Sequence, residues 1–194
     1  MPYGLLSNVD IQSLEGSIRL AHETFPAQAL TVVEIGICHG DTSRGIRDYL
    51  NGLGVAFSYH GFDSQRDKQI SPPFEGASLH LGDSAEIYHE APEGIHWLMI
   101  DGCHCVNHMM LDFLHFGDRV AKGGVAIFHD VSPLSQNKCD YQGHGPNIAD
   151  FGTACREGIR KLGLYDGFRT DWVLIKEDWE PNLNWGGVAV FQKQ

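Results

Sequence analysis

Basic residues are scarce in this chain: 14 Lys and Arg stand against 25 Asp and Glu, a net charge of -11 over 194 residues. A surface this acidic repels a phosphate backbone, which argues against nucleic acid as a partner. No apolar run approaches the ~20 residues that span a bilayer. The opening MPYGLLSNVDIQSLEGSIRLAHETF also lacks a basic stretch followed by an unbroken apolar one. These absences predict a cytoplasmic protein with no membrane association. The five cysteines, Cys38, Cys103, Cys105, Cys139 and Cys155, are odd in number and have no framework spacing. They read as free thiols in a reducing compartment rather than a disulfide scaffold. Internal repeats and low-complexity tracts are missing too. With 42% of 194 residues hydrophobic there is material for one core but little for two, so residues 1–194 read as a single domain.

What is present alternates. Ile11, Leu14, Ile18, Ala21 and Phe25 recur at helical spacing and Pro26 follows, predicting an N-terminal helical segment within residues 1–28. Leu30 to Ile37 is a largely apolar run, the pattern of a strand buried on both faces, and a helix is expected from about Thr42 to Leu50. Further strands are expected over Val55 to Phe62, Ala77 to Leu81 and Ile95 to Ile100. A helix carrying Val106, Met109, Met110, Phe113 and Val120 comes next, and Gly123-Gly124 is read as a turn into a strand over Val125 to Phe128. Strands alternating with helices predict right-handed βαβ units and an α/β, doubly wound, mostly parallel sheet. Residues 131–152 have no period and read as a lid loop, with Cys139, Tyr141 and His144 as candidate acceptor contacts. A helix from about Ala154 to Leu162 and a terminal hairpin, Trp172 to Lys176 with Gly187 to Gln192, complete the chain and make its last strand antiparallel.

In such sheets ligands bind beyond the carboxyl ends of the strands. Those ends carry Glu34 with Gly36, Asp63, Asp83, Asp101 and Asp130. A dinucleotide fingerprint requires Gly-x-Gly-x-x-Gly to bring a pyrophosphate onto a helix N-terminus. Here Cys38 and Asp41 occupy the second and third glycine positions, and Asp41 would repel phosphate. A cofactor without phosphate, carrying a charged amino-acid end and a ribose, fits better, and Asp63 is placed to accept the ribose hydroxyls. A second constellation, Asp101-Gly102-Cys103-His104 with His129-Asp130, falls on neighbouring strand ends. Carboxylates and imidazoles there suit proton removal from a hydroxyl, with or without a divalent ion. Cys103, His104, Cys105 and His108 lack the paired spacing of structural zinc, so the thiols read as buried packing. His108, Asp112 and His115 read as a solvated polar stripe on one helical face.

The stretch VVEIGICHGDTSRGI resembles the first motif of class I S-adenosylmethionine-dependent methyltransferases. GFDS, LGDSAE, MIDGCH and KGGVAIFHD resemble the later motifs in the same order. More narrowly, IDGCHCVNHMMLDF followed by KGGVAIFHD resembles the small-molecule O-methyltransferases of methyltransferase family 24, which include macrocin O-methyltransferase and cephalosporin-hydroxylase-like proteins. The likeness runs from about Leu30 to Asp130. It implies a Rossmann-like, seven-stranded sheet and S-adenosylmethionine as cofactor. It places Glu34, Gly36, Gly40 and Thr42 along the methionine and ribose side, with His39 among the cofactor contacts. Asp63 would meet the ribose hydroxyls and Asp83-Ser84 the adenine. It places Asp101, also counted with the cofactor, together with His129 and Asp130 where metal-dependent members hold Mg²⁺, and His104 where some hold the general base. Two departures stand out: Cys38 replaces a usual glycine, and His129 replaces a usual carboxylate. Mg²⁺ prefers oxygen, so Mn²⁺, Fe²⁺ or Zn²⁺ are the alternatives if His129 is a ligand.

The expected activity is therefore methylation of a hydroxyl on a small-molecule acceptor, with Asp101 and His104 as the catalytic pair. Two other readings stand beside it: a noncatalytic cofactor- or metal-binding protein, and a nicotinamide-dependent oxidoreductase. A homodimer is allowed through the first helix or the terminal hairpin, though neither shows an apolar excess beyond its own core.

Overall fold

The computed structural model describes residues 6–64, 71–135 and 151–194, leaving aside the side chain of Phe151. Leading the chain is helix α1 (Asn8–Thr24), followed by β1 (Leu30–Ile35), α2 (Asp41–Gly52), β2 (Phe57–Asp63) and β3 (Ser78–Leu81). Next come α3 (Ser84–Ile87), a 3-10 turn (Tyr88–Glu90), β4 (Ile95–Ile100), α4 (Val106–Gly117) and β5 (Val120–His129). The last elements are α5 (Phe151–Lys161), β6 (Trp172–Asp178) and β7 (Val188–Lys193). The strands form one seven-stranded sheet in the order β3-β2-β1-β4-β5-β7-β6. Neighbours from β3 to β5 pair in parallel, and β7 runs antiparallel to both β5 and β6. The single reversed strand is β7, as the terminal hairpin predicts.

Alternation along the buried strands divides the core in two. Val33, Ile35, Leu98, Ile100, Ala126 and Phe128 face α4 and α5. Val32, Trp97, Met99, Val125 and Ile127 face α1 and α2. The helices thus cover both faces, and the strand order reverses between β1 and β4, where a crevice opens beyond the carboxyl ends. Ser7 caps α1 in a reciprocal box: its hydroxyl accepts the Asp10 N–H at 3.1 Å while Asp10 Oδ2 accepts the Ser7 N–H at 3.0 Å.

Two expectations change. Val120 does not belong to the preceding helix, and Gly123-Gly124 is not a turn into a later strand: both lie inside β5, which starts at Val120. The pair sits at a register irregularity opposite Ile95 to Trp97. There Gly123 takes φ +86, and a Cβ on Gly124 would lie 2.7 Å from Val120 and 2.9 Å from the Ile95 carbonyl, so these glycines serve a bulge. The loop expected at 131–152 gives way to α5 two residues early and is tied down at its start. Val131 and Ser132 are buried and donate to the carbonyls of Gly187 and Gly186 at 3.2 and 2.8 Å, while Phe151 already begins α5. Cys139, Tyr141 and His144 lie outside the described residues.

At the far edge of the sheet β6 exposes Val173, Leu174 and Ile175. No helix among the described residues is long and apolar enough to cross a membrane.

Candidate active site

A cavity of about 660 Å³ opens at the β1/β4 crevice, lined by Gly36 to His39, Asp41, Thr42, Asp63, Asp83, Ser84, Asp101 to His104, His108, His129, Asp130, Leu6 and Trp185 among others. Its floor is the turn after β1. Gly36 takes φ +90, and a Cβ there would lie 2.1 Å from the Asp101 carbonyl oxygen, so glycine is required by the crossing of two strand ends. Cys38 takes a left-handed conformation, with φ 53. Asp63 Oδ2 accepts the N–H groups of Ile37 and Cys38, each at 2.9 Å. One oxygen of that carboxylate thus organises the turn.

Two residues expected to line the cofactor do not line this cavity. Glu34 is fully buried on the opposite face of β1, because an inner strand position alternates between helix layers and only the residues past the strand end reach the rim. Its Oε2 accepts the Ser43 hydroxyl at 2.7 Å and the Tyr59 hydroxyl. Burial pushes its pKa up to about 7 against these two bonds. Gly40 is the N-cap of α2, at φ 73, with Pro73 against it.

At the other wall four side chains from two strand ends meet. His129 Nδ1 is 2.8 Å from Asp101 Oδ1 and 3.7 Å from Asp130 Oδ2, while His104 Nε2 is 3.3 Å from Asp101 Oδ1 and 3.0 Å from Asp130 Oδ2. One ligand atom from each lies within 4.8 Å of the others. Asp130 adopts φ 56, a strained region for a residue with a Cβ, and its Oδ1 accepts the Gly186 N–H at 2.9 Å. For His104, burial would depress the pKa, but hydrogen bonds and charge from Asp101 and Asp130 outweigh it and raise the value to about 9. The His129 pKa is likewise raised, by Asp101, Asp130 and Asp10 against burial. An unshifted histidine titrates near 6.5, so the two carboxylates move His104 away from the range expected of a free general base.

Asp10 was not singled out by sequence reasoning. It is fully buried, with Oδ2 3.6 Å from His129 Nε2 and Oδ1 accepting the Gly187 N–H at 2.9 Å. At that distance the contact is an electrostatic pairing and not a hydrogen bond, and His129 Nε2 has no hydrogen-bond partner among the described residues. The Ser7-x-x-Asp10 spacing marks a helix start in the sequence, but nothing local ties it to residue 129.

The expected solvated stripe is also corrected. Asp112 is fully buried and accepts the Ser84 hydroxyl at 2.5 Å, and burial raises its pKa to about 8. His108 is buried with Nε2 3.1 Å from Asp83 Oδ1, and the His115 ring packs on Tyr88 at 3.9 Å between centroids. The helical face that carries these residues packs inward, under α3 and the rim residues Asp83 and Ser84.

The donor set of the four-residue group is two imidazole nitrogens and two carboxylates. It is chemically fit for a divalent transition metal and less so for Mg²⁺. The cavity wall presents carboxylates from Asp41, Asp63, Asp83, Asp101 and Asp130. Such a wall suits a cationic ligand and disfavours a phosphate.

A family profile described as a methyltransferase domain matches residues 33–131. Among curated proteins, none matches by sequence. Solved structures match by shape. MycE methyltransferase of the mycinamycin biosynthetic pathway, in complex with Mg, SAH and mycinamycin VI, has a TM-score of 0.59 at 15% identity, over 97% of this chain and 55% of that one. The O-methyltransferase NovP has a TM-score of 0.63 at 13% identity, over 95% and 79%. A Staphylococcus aureus protein assigned as a caffeoyl-CoA O-methyltransferase has 0.65 at 10%, over 99% and 86%. Likeness at such identities is likeness of fold. The chain spans about half the length of the MycE chains it matches, 46% and 55%.

Proposed function

Because the chain belongs to the methyltransferase-domain family whose profile spans residues 33–131, we propose that it transfers the methyl group of S-adenosylmethionine to a hydroxyl of a small metabolite. One observation carries this reading: the Asp101, His104, His129 and Asp130 group opens into the same acid-walled cavity as the Gly36 turn and Asp63. MycE, which shares the fold, was solved with Mg, SAH and a small-molecule ligand. That precedent supports the cofactor class and a metal requirement.

In this reading the adenosine lies between Asp63 and Asp83-Ser84, and the amino-acid end runs past His39 and Thr42. S-adenosylmethionine supplies a sulfonium-bound methyl group. The chain holds donor and acceptor in line, so that the new oxygen–carbon bond forms as the sulfur–carbon bond breaks. The hydroxyl proton goes to His104 Nε2. A divalent ion held by Asp101, His129 and Asp130 would lower the pKa of the acceptor hydroxyl and fix its position. Without a cation to share Asp101 and Asp130, His104 stays protonated below its pKa of about 9 and has no lone pair to offer. Its role as base therefore requires those carboxylates to be engaged elsewhere. Acceptors of the sugar, polyketide or phenol classes all present the required hydroxyl.

The test is calorimetric titration with S-adenosylhomocysteine, run on the wild type and on Asp63→Ala with NAD as a control. The expected result is binding that Asp63→Ala removes, with no heat from NAD. Silence with S-adenosylhomocysteine, or binding of NAD in its place, overturns the reading.

A further inference from the structure

The loop from β4 to α4 serves two sides of the cavity. Asp101 and His104 turn toward the end of β5. Cys103, Cys105 and His108 form a separate group, with one ligand atom from each within 4.8 Å of the others. Helix geometry explains the convergence: Cys105 is the N-cap of α4 and His108 its third residue, positions whose side chains meet at a helix start. Around them stand two carboxylates. Asp83 Oδ1 lies 3.1 Å from His108 Nε2. Asp112 is fully buried, and its Oδ2 has no hydrogen-bond partner.

We propose that Cys103, Cys105 and His108 form a site for a thiophilic divalent cation of the Zn²⁺ class, and that filling it excludes the adenine end of the cofactor. Two sulfurs and an imidazole within reach of one point supply three of the four ligands of tetrahedral zinc. Binding breaks the two S–H bonds, forms two metal–sulfur bonds and releases two protons to solvent, with no change of oxidation state. The exclusion rests on the proposed cofactor reading. Asp83, Ser84, Cys103 and His108 line the same cavity, so a cation on Cys103 and His108 takes up wall that the adenine end would pack against. The site would make the enzyme sensitive to soft metals at a point distinct from the Asp101, His129 and Asp130 group.

The experiment is titration of the purified, reduced protein with Cd²⁺, followed by the thiolate-to-cadmium absorption band. It is run with and without excess S-adenosylhomocysteine, and binding of that ligand to the metal-free protein is measured separately by calorimetry. The expected result is saturation at one equivalent, persisting in Cys38→Ser and Asp130→Asn. Apparent affinity should fall at least about 100-fold in Cys103→Ser and Cys105→Ser, beyond the loss typical of outer-shell partners. Cys103→Ser, on the cavity wall, remains informative if the buried Cys105→Ser does not fold. S-adenosylhomocysteine should weaken the band. No band, or one that survives Cys103→Ser, overturns the site. A cysteine-dependent band indifferent to S-adenosylhomocysteine overturns the exclusion. If S-adenosylhomocysteine fails to bind the metal-free protein, the cofactor reading and the exclusion fall together, while the cysteine variants still judge the cation site.

Discussion

Glu34 shows how a single buried carboxyl registers in stability. Its pKa is about 7 in the folded chain against an ordinary 4.5, with burial the main cause. Between those values the folded state holds a proton that the unfolded state has lost. Its contribution to stability is therefore greatest below pH 4.5, declines as pH rises toward 7, and is flat above, at up to about 1.4 kcal/mol per pH unit. Glu34→Gln removes this share of the slope. Urea unfolding at pH 5 and pH 7.5 is expected to show a larger loss for the wild type than for the variant, and equal losses would mean that the carboxyl is not raised. His104 gives the complementary case. Its pKa of about 9 means that at pH 7.5 it carries a proton, which a cation at Asp101 and Asp130 displaces. Calorimetry of Mn²⁺ binding in two buffers of different ionisation enthalpy should report at least about one proton released, since His129 must also give up any proton it carries to become a ligand. Heats that do not depend on buffer would place His104 in its neutral form from the start.

One substitution separates two elements. Gly16 lies in the interior of α1 with nothing within 4 Å of where a Cβ would sit, so Gly16→Ala should stabilise the chain by about 0.5–1 kcal/mol. Gly36, past the end of β1, would bring a Cβ to 2.1 Å from the Asp101 carbonyl at φ +90. Gly36→Ala should therefore cost about 1–3 kcal/mol and remove S-adenosylhomocysteine binding. Thermal melts with calorimetry check both, and a neutral Gly36→Ala would refute the crossing described for the strand ends. Elements were legible in the sequence where a period or an unbroken apolar run marked them, as in β1, β4 and α1, and where an acid closed a strand. Reading failed where one signal serves two structures. Gly123-Gly124 signals a turn, yet a bulge needs the same residues. His108, Asp112 and His115 are polar at helical spacing, and only the docking of α3 over α4 turns them inward. Glu34 was placed on the rim although alternation along a strand sends it to a helix layer. The Asp10–His129 pair had no local trace because its members lie in different elements.

At the scale of the molecule, the doubly wound sheet brings the strand ends to one rim, and that rim gathers most of the candidate residues read from sequence: Gly36, His39, Thr42, Asp63, Asp83, Ser84, Asp101, His104, His129 and Asp130. Topology rules made that gathering predictable; the side-chain partners within it were not. With His104 and His129 beside Asp101 and Asp130, the donor set favours a softer ion than Mg²⁺. Methyl transfer should be lost on treatment with EDTA and restored more fully by Mn²⁺ than by Mg²⁺ at equal concentration, and a stronger rescue by Mg²⁺ would remove His129 from the ligand set.

The Asp10 carboxylate joins α1 to the turn before β7, a hydrogen bond that closes 177 residues of chain. A contact so distant in sequence is slow to form. During synthesis, the bonds from Gly186 to Asp130 and from Gly187 to Asp10 form only after residue 187 has been made. A chain released before that point lacks the two backbone donors that hold Asp130 and Asp10 beside His129.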